Sequence, residues 1–325
     1  MYIINIDFRV SMEKRIIRTA TKEQSVGYVE TVAEKHFDCK VLKITYIGGG
    51  SYGFVYKIQI EKEPYTLVAK VFRTEAMHIS EAESIRLLSE NKLVRMPEIY
   101  GVFGATQEIP VDMIFMEFMS GTDCFSDFKK FFKSRTKKDE FANSIAEILN
   151  GWHIINNDKF GLVTNAVYDD WNDYYYPFAE DILLSSRQLN KEKKLSDGTL
   201  NVMEKAFARY DFIFSEPVTK ASLIHGDLNI MNIMTDANLK NICVIDPLES
   251  KWADKEYDLF QLRNIGGDSF HLYETYKKKF QVSEKCDIKC DFYALFNEVY
   301  CYITSGVKVD LILQPLVHRM KKDLK

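Results

Sequence analysis

Apolar and polar positions alternate with a period of two over Val41–Tyr46 and Gly53–Ile60, which predicts two strands. A turn at Glu61–Tyr65 leads into a third strand, Tyr65–Phe72. Ser25–Phe37 reads as a helix before these strands. Ser80–Glu90 reads as a short amphipathic helix after them, with Glu81, Ile85 and Leu88 on one face. Met96–Tyr100 and Met113–Phe118 read as two further strands. The expectation is a compact five-stranded sheet with one helix inserted after the third strand. Beyond Gly121 the period changes to that of helices, over Asp139–Ile155, Tyr174–Leu189, Leu200–Phe214 and the chain after Asp291. Asn190–Gly198 is charged and poor in apolar residues, as expected of a solvated link between helices. One loop-and-strand island interrupts this part at Leu223–Asp246. The pattern divides the chain into a mixed α+β unit at 1–117 and a mainly helical unit at 118–325, with no internal repeat.

Composition narrows the classes. The chain has 325 residues, room for one large or two medium domains. Apolar residues at 46% are enough for a real core, and 13% aromatic content argues against disorder. Basic residues number 43 and acidic residues 47, so no basic excess points to nucleic acid. No run approaches the ~18–20 apolar residues of a membrane-spanning helix. The first residues, MYIINIDFRVSMEKRIIR, are too charged for a signal peptide. Cys39, Cys124, Cys243, Cys286, Cys290 and Cys301 form no C-x-x-C pair, and no further motif completes a zinc set around Cys286 and Cys290. Reduced thiols in a cytoplasmic protein are expected, with no membrane and no obligate protein partner.

Four features occur in an informative order. The first is a glycine cluster between two strands, I-G-G-G-S-Y-G-F-V-Y, including Gly49, Gly50, Ser51 and Gly53. Glycines allow backbone N–H groups to approach phosphate oxygens, although a plain hairpin also uses them. No Gly-Lys-Ser/Thr follows, so this is not a Walker A loop. The second is Lys70 in L-V-A-K-V-F. A lysine among apolar strand residues either points to solvent or needs a partner. Glu81 shares a helix face with Ile85 and Leu88 and is the partner candidate, and Glu83 is the off-face alternative. The third is L-I-H-G-D-L-N-I-M-N-I-M, with His225, Asp227 and Asn232 in a loop between apolar segments. Asp227 can orient a hydroxyl and take its proton, and Asn232 can offer an amide oxygen to Mg²⁺. The fourth is V-I-D-P-L-E-S, where Asp246 ends an apolar strand. One hairpin separates it from Asn232, and the pair suits a hard divalent cation.

Together these residues resemble the aminoglycoside phosphotransferase and choline kinase superfamily, over roughly residues 40 to 300. The resemblance implies a bilobal protein-kinase-like fold, with a small antiparallel-sheet N-lobe and a larger helical C-lobe. It implies that Gly49, Gly50, Ser51 and Gly53 cover a triphosphate. Lys70 would contact the α- and β-phosphates, held by Glu81, while Phe118 and Met119 in the interlobe connector read the nucleobase. Asp227 would be the catalytic carboxylate, and Asn232 and Asp246 would bind Mg²⁺. His225 and Asp258 (of E-Y-D-L-F) would brace the loop. The chain departs from protein kinases in three places: H-G-D for H-R-D, Asp246-Pro247 for D-F-G, and no A-P-E. These departures favour a small-molecule acceptor. F-G-L-V-T (Phe160–Thr164), followed by D-D-W-N-D-Y-Y-Y-P-F, is also similar to fructosamine kinase-type proteins.

The candidate acceptor wall is Asp169, Asp170, Trp171 and Asp173, with Glu249 after the metal aspartate. Aromatic faces beside carboxylates suit a sugar, an amino sugar or a cationic amine. The same residues also suit core packing and a helix cap. The reading is a kinase moving the γ-phosphoryl group of ATP or GTP, with Mg²⁺, to a hydroxyl of a sugar, amino sugar, ketoamine or aminoglycoside. A non-catalytic kinase-like nucleotide-binding module, a protein kinase and a metal-dependent hydrolase are the alternatives.

Overall fold

A computed structural model describes residues 20–325 apart from Ser51, Leu248 and Glu249. The predicted sites at Ser51 and Glu249 therefore lie outside the described residues.

The N-lobe opens with α1 (Lys22–Phe37), started by a capping box in which Thr21 and Gln24 bond each other's backbone N–H. Then come β1 (Val41–Gly50), β2 (Gly53–Ile60) and β3 (Thr66–Phe72), the inserted helix α2 (Met77–Leu88), β4 (Ile99–Phe103) and β5 (Asp112–Glu117). The sheet order is β1-β2-β3-β5-β4, with every neighbouring pair antiparallel. β4 starts three residues later than the pattern suggests; Pro97 has no N–H to give a ladder.

Strand alternation sorts the sheet into two faces. Leu67, Ala69, Val71, Met113 and Phe115 pack with Val29 and Ala33 of α1. Phe72, Ile114 and Met116 fall on the other face, in a cluster with Ile85 and Leu88 of α2. Lys70 is two residues from Phe72, so it shares the α2 face. That second cluster continues into the C-lobe through Ile145, Leu149 and Trp152. The Trp152 indole N–H donates to the Leu88 carbonyl at 3.0 Å, and Asn91 Nδ2 donates to the Ile148 carbonyl at 3.1 Å. The inserted helix is thus tied to the C-lobe by polar contacts within a shared core.

The C-lobe runs β6 (Thr122–Asp123), α3 (Arg135–His153), β7 (Asn156–Asn157), β8 (Phe160–Leu162), β9 (Asn165–Tyr168), α4 (Trp171–Lys191), α5 (Asp197–Phe207) and α6 (Tyr210–Ile213). It continues with β10 (Ala221–Ile224), β11 (Ile233–Thr235), β12 (Cys243–Val244), β13 (Lys251–Ala253), α7 (Glu256–Leu259), a 3₁₀ segment over Gln261–Phe270, α8 (Leu272–Lys279), α9 (Cys286–Ser305) and α10 (Asp310–Asp323). The expected single helix over Leu200–Phe214 is two. The chain leaves the helix after Phe207, and Tyr210 turns inward to stack on Phe214 at 4.3 Å. The link expected over Asn190–Gly198 shortens to five residues, and Leu195 within it is buried. The lone island expected at Leu223–Asp246 belongs to two sheets, β7-β10-β13-β8-β9 and β12-β11-β6. Most of their strands have two to four residues, too few to show a period.

Candidate active site

Lys70 is on β3 with its side chain toward α2. Its Nζ lies 2.7 Å from Glu81 Oε2 and 2.5 Å from Asp246 Oδ1. Glu83, the alternative partner, is exposed and pairs with Arg86. Burial pulls the Lys70 ammonium toward the neutral form, but Asp246 and Glu81 outweigh it and hold the group charged. Burial pushes Glu81 up to about 7 against the pull of Lys70. Glu81 is 1% exposed, so an ionised carboxylate there depends on its counter-ion.

Asp246 reaches this pair through the β11–β12 hairpin. Ile233 faces Val244 in that ladder, and the Ile245 N–H donates to the Asn232 carbonyl at 3.0 Å. Asp246 then turns out at φ 59°, the left-handed region that aspartate tolerates better than most residues. Asn232 and Asp246 are thereby brought to the same end of one hairpin.

β10 runs straight into His225-Gly226-Asp227. Asp258 grips this loop from α7: Oδ2 accepts from the His225 N–H at 2.8 Å and Oδ1 from the Gly226 N–H at 2.7 Å. Gly226 sits at φ 85°, which a Cβ would strain. His225 is fully buried, and burial lowers its pKa. Its Nδ1 accepts from the Asp227 N–H at 3.3 Å, so it braces the loop as a neutral ring. The Asp227 carboxylate is half-buried and collects three amide donors. Asn229 Nδ2 is 3.0 Å and Gln261 Nε2 2.8 Å from Oδ1, and Asn232 Nδ2 is 3.0 Å from Oδ2. Burial pushes Asp227 up to about 7, with Asp246 adding to the rise and the amide bonds opposing it. Sequence reasoning missed Asn229 and Gln261. Asn229 is legible in hindsight, two residues past Asp227, but nothing along the chain signals Gln261.

The glycines divide by cause. A Cβ on Gly53 would stand 2.2 Å from the Val71 carbonyl oxygen, and one on Gly49 2.6 Å from the Gly53 carbonyl oxygen. Those two are required by the sheet itself. Gly50 faces open space, where a ligand could approach the backbone. Past β5, Phe118 is half-buried under the Lys57 ammonium at 3.9 Å, and Met119 is buried.

A cavity of about 100 Å³ opens beside Asp227. Tyr174, Tyr175 and Phe178 of α4 line it, with Tyr52 from the glycine loop, Tyr257 of α7 and Tyr300 of α9. Gln261, Asn297 and Lys251 add polar groups, and Asp227 is the only carboxylate among the described lining residues. Trp171 of the expected acceptor wall lines this cavity, whereas Asp169, Asp170 and Asp173 do not. The positions 171, 174, 175 and 178 form the face of α4 toward Asp227, with Trp171 as the fully buried floor; its indole N–H donates to the Tyr293 hydroxyl at 2.8 Å. Asp169 and Asp173 instead line an open cleft of about 570 Å³ with Asn172, Tyr176, Tyr210 and Asp211. That cleft lies on the opposite face of α4 and does not include Asp227. Asp169 also pairs with Lys159, and Asp170 caps α4 by accepting from the Asn172 N–H at 2.7 Å. Helical periodicity separates Asp173 from Trp171, since two positions along α4 turn through about 200°, while Asp169 and Asp170 precede the helix.

The fold has counterparts. The chain is 24% identical over 255 residues to the uncharacterized protein YcbJ of Escherichia coli, covering 75% of this chain and 80% of that protein. It is 25% identical over 249 residues to a probable ketoamine kinase of Vibrio vulnificus, covering 74% and 79%. Among solved structures, it is similar to a putative fructosamine-3-kinase from Haemophilus somnus, with a TM-score of 0.64 at 19% identity over 90% of this chain and 96% of that one. It is also similar to a thermostable mutant of the aminoglycoside phosphotransferase APH(4)-Ia in ternary complex with ADP and hygromycin B, with a TM-score of 0.68 at 12% identity over 91% and 97%. The model of the fructosamine kinase family matches residues 25–306. The chain therefore belongs to the fructosamine kinase family, and is a small-molecule kinase with a protein-kinase-like fold.

Proposed function

We propose that this kinase transfers the γ-phosphoryl group of ATP, with Mg²⁺, to a hydroxyl of a compact ketoamine or related sugar. The observation that carries the reading is the placement of Asp227: a carboxylate held by amides at the edge of an aromatic-lined cavity. Aromatic faces stack on sugar rings, and a single carboxylate within reach takes the proton of one hydroxyl. A polycationic aminoglycoside would call for several carboxylates, and the described lining offers one.

The division of labour follows the two lobes, with the connector near residues 117 and 118. Gly49, Gly50 and Gly53 cover the phosphates, and Lys70, aimed by Glu81, contacts them. Phe118 and Met119 flank the nucleobase. The neighbour bound to ADP supports the choice of an adenine nucleotide. A hard cation suits the donor set. The Asp246 carboxylate is 42% exposed, and Asn232 spends its Nδ2 on Asp227, which leaves its amide oxygen for a metal. Asn232 and Asp246 would hold Mg²⁺, which supplies charge neutralisation on the phosphates when bound. The rest is positioning. Asp227 orients the acceptor hydroxyl and accepts its proton, His225 and Asp258 keep the loop in place, and the cavity walls exclude water. The free cysteines and the need for ATP suit the cytoplasm.

The test is ADP release from Mg·ATP against a panel of fructosamines, free sugars and aminoglycosides. The expected result is turnover with a fructosamine, lost at least ~10²-fold in Asp227→Ala with nucleotide binding retained. Full activity of Asp227→Ala, or turnover with aminoglycosides alone, would sink the reading.

A further inference from the structure

We propose that Gln261 is a positioning residue for Asp227, fixing the carboxylate against the C-lobe frame at the acceptor cavity. Of the three amides on Asp227, Asn229 and Asn232 belong to the same loop and move with it. Gln261 comes from the 3₁₀ segment that follows α7. It stands three residues after Asp258, about one helical turn, so both side chains reach the same side. Asp258 holds the loop backbone at His225 and Gly226, and Gln261 holds the side chain of the next residue. The two contacts fix the loop at two points from one rigid element.

The orientation of the Gln261 amide is set from behind. Its Oε1 accepts from Asn264 Nδ2 at 3.1 Å, so its nitrogen faces Asp227. Asn264 leaves helical geometry at φ −74°, ψ 157°, and Ile265 and Gly266 follow at φ 54° and 91°. That kink turns the Asn264 side chain back onto Gln261. Gln261 is 4% exposed and also lines the cavity with Asp227, at the place the acceptor hydroxyl must occupy. A cation there would pair with the carboxylate and make it a weaker base. A neutral amide orients it and leaves its charge available.

This rests on Asp227 being the group that orients the acceptor, and the experiment separates the two claims. ADP release is measured with Mg·ATP and a fructosamine made from glucose and glycine, alongside melting temperatures. Gln261→Leu keeps roughly the volume and removes the donor. Its kcat should fall roughly 10- to 100-fold, with KM for ATP unchanged within about twofold. Gln261→Glu keeps shape and length but sets a second carboxylate against the first, and should fall at least as far. Asn264→Ala frees the amide to flip and should lose a few-fold in kcat. Normal kcat in Gln261→Leu and Gln261→Glu, with Asp227→Ala inactive, overturns the positioning role and leaves Asp227 in place. An active Asp227→Ala overturns the underlying reading instead. A parallel loss of kcat, ATP affinity and melting temperature in all three variants would mean a merely structural residue, and would also overturn the proposal. Should Gln261→Leu fail to fold, Gln261→Glu and Asn264→Ala still decide.

Discussion

The two halves of the site hold their charges in opposite ways. On the N-lobe side, Lys70 is buried between carboxylates, Glu81 at 2.7 Å and Asp246 at 2.5 Å. On the C-lobe side, Asp227 is half-buried among neutral amides from Asn229, Asn232 and Gln261. Counter-ions keep Lys70 a cation in a place that would otherwise neutralise it. Amides orient Asp227 without cancelling it, and burial leaves it more basic than an ordinary carboxylate. The first arrangement suits a group that must stay charged when phosphates arrive. The second suits a group that must accept a proton. The difference also predicts which half the fold depends on.

The widest separation comes from one variant in each half. Asp227→Asn should lose at least ~10²-fold in turnover while its melting temperature stays within about 4 °C of the wild type, because its partners are neutral. Lys70→Met should lose comparable turnover and also roughly 3–5 kcal/mol of stability, because the buried Glu81 carboxyl loses its counter-ion and must take up a proton to stay buried. Equal thermal stability of the two variants in a denaturation series would break the contrast.

A pH series on Lys70→Met sharpens it. Burial already raises Glu81 to about 7 with Lys70 present, and removing Lys70 takes away the group that lowers it. A carboxyl whose folded pKa lies above its unfolded value binds its proton more tightly when folded. Its stability contribution is therefore present at low pH and lost as pH rises through the folded pKa. Lys70→Met should melt several degrees higher at pH 6 than at pH 8, and more steeply so than the wild type. A flat profile would mean Glu81 finds another counter-ion.

The two halves also differ in how much of them was legible along the chain. Lys70 could be picked out because a lysine interrupts an apolar strand, and Glu81 because it shares a helix face with Ile85 and Leu88. His225, Asp227 and Asn232 are local in sequence, and Asp246 is one hairpin away. Each of these pairings depends on short-range geometry, whereas the Lys70–Asp246 contact spans 176 residues. Gln261 was invisible because its contact with Asp227 spans 34 residues and depends on how α7 docks. The sheet carrying β8, β9 and β13 was missed because strands of three or four residues show no period. The expected acceptor wall divides for a different reason. Asp169, Asp170 and Asp173 bracket Trp171 in sequence, but Asp169 and Asp170 precede α4, and Asp173 lies about 200° around it from Trp171.

The smallest effects should come from the α4 positions of that expected wall and its neighbours. Asp173 lies on α4 two positions from Trp171 and faces the open cleft with Tyr176 and Asp211. Phe178 lies five residues farther along, on the face toward Asp227. Asp173→Asn removes a charge from an exposed position and touches no group that holds Asp227, so kcat/KM for the acceptor should change less than about twofold. Phe178→Ala removes an aromatic wall from the cavity and should raise the acceptor KM several-fold, with kcat changed less, since stacking contributes to ground state and transition state alike. Steady-state kinetics with a fructosamine would compare them directly. If Asp173→Asn proves the more damaging, the acceptor extends across α4 into the cleft, and the carboxylates there take part in reading it.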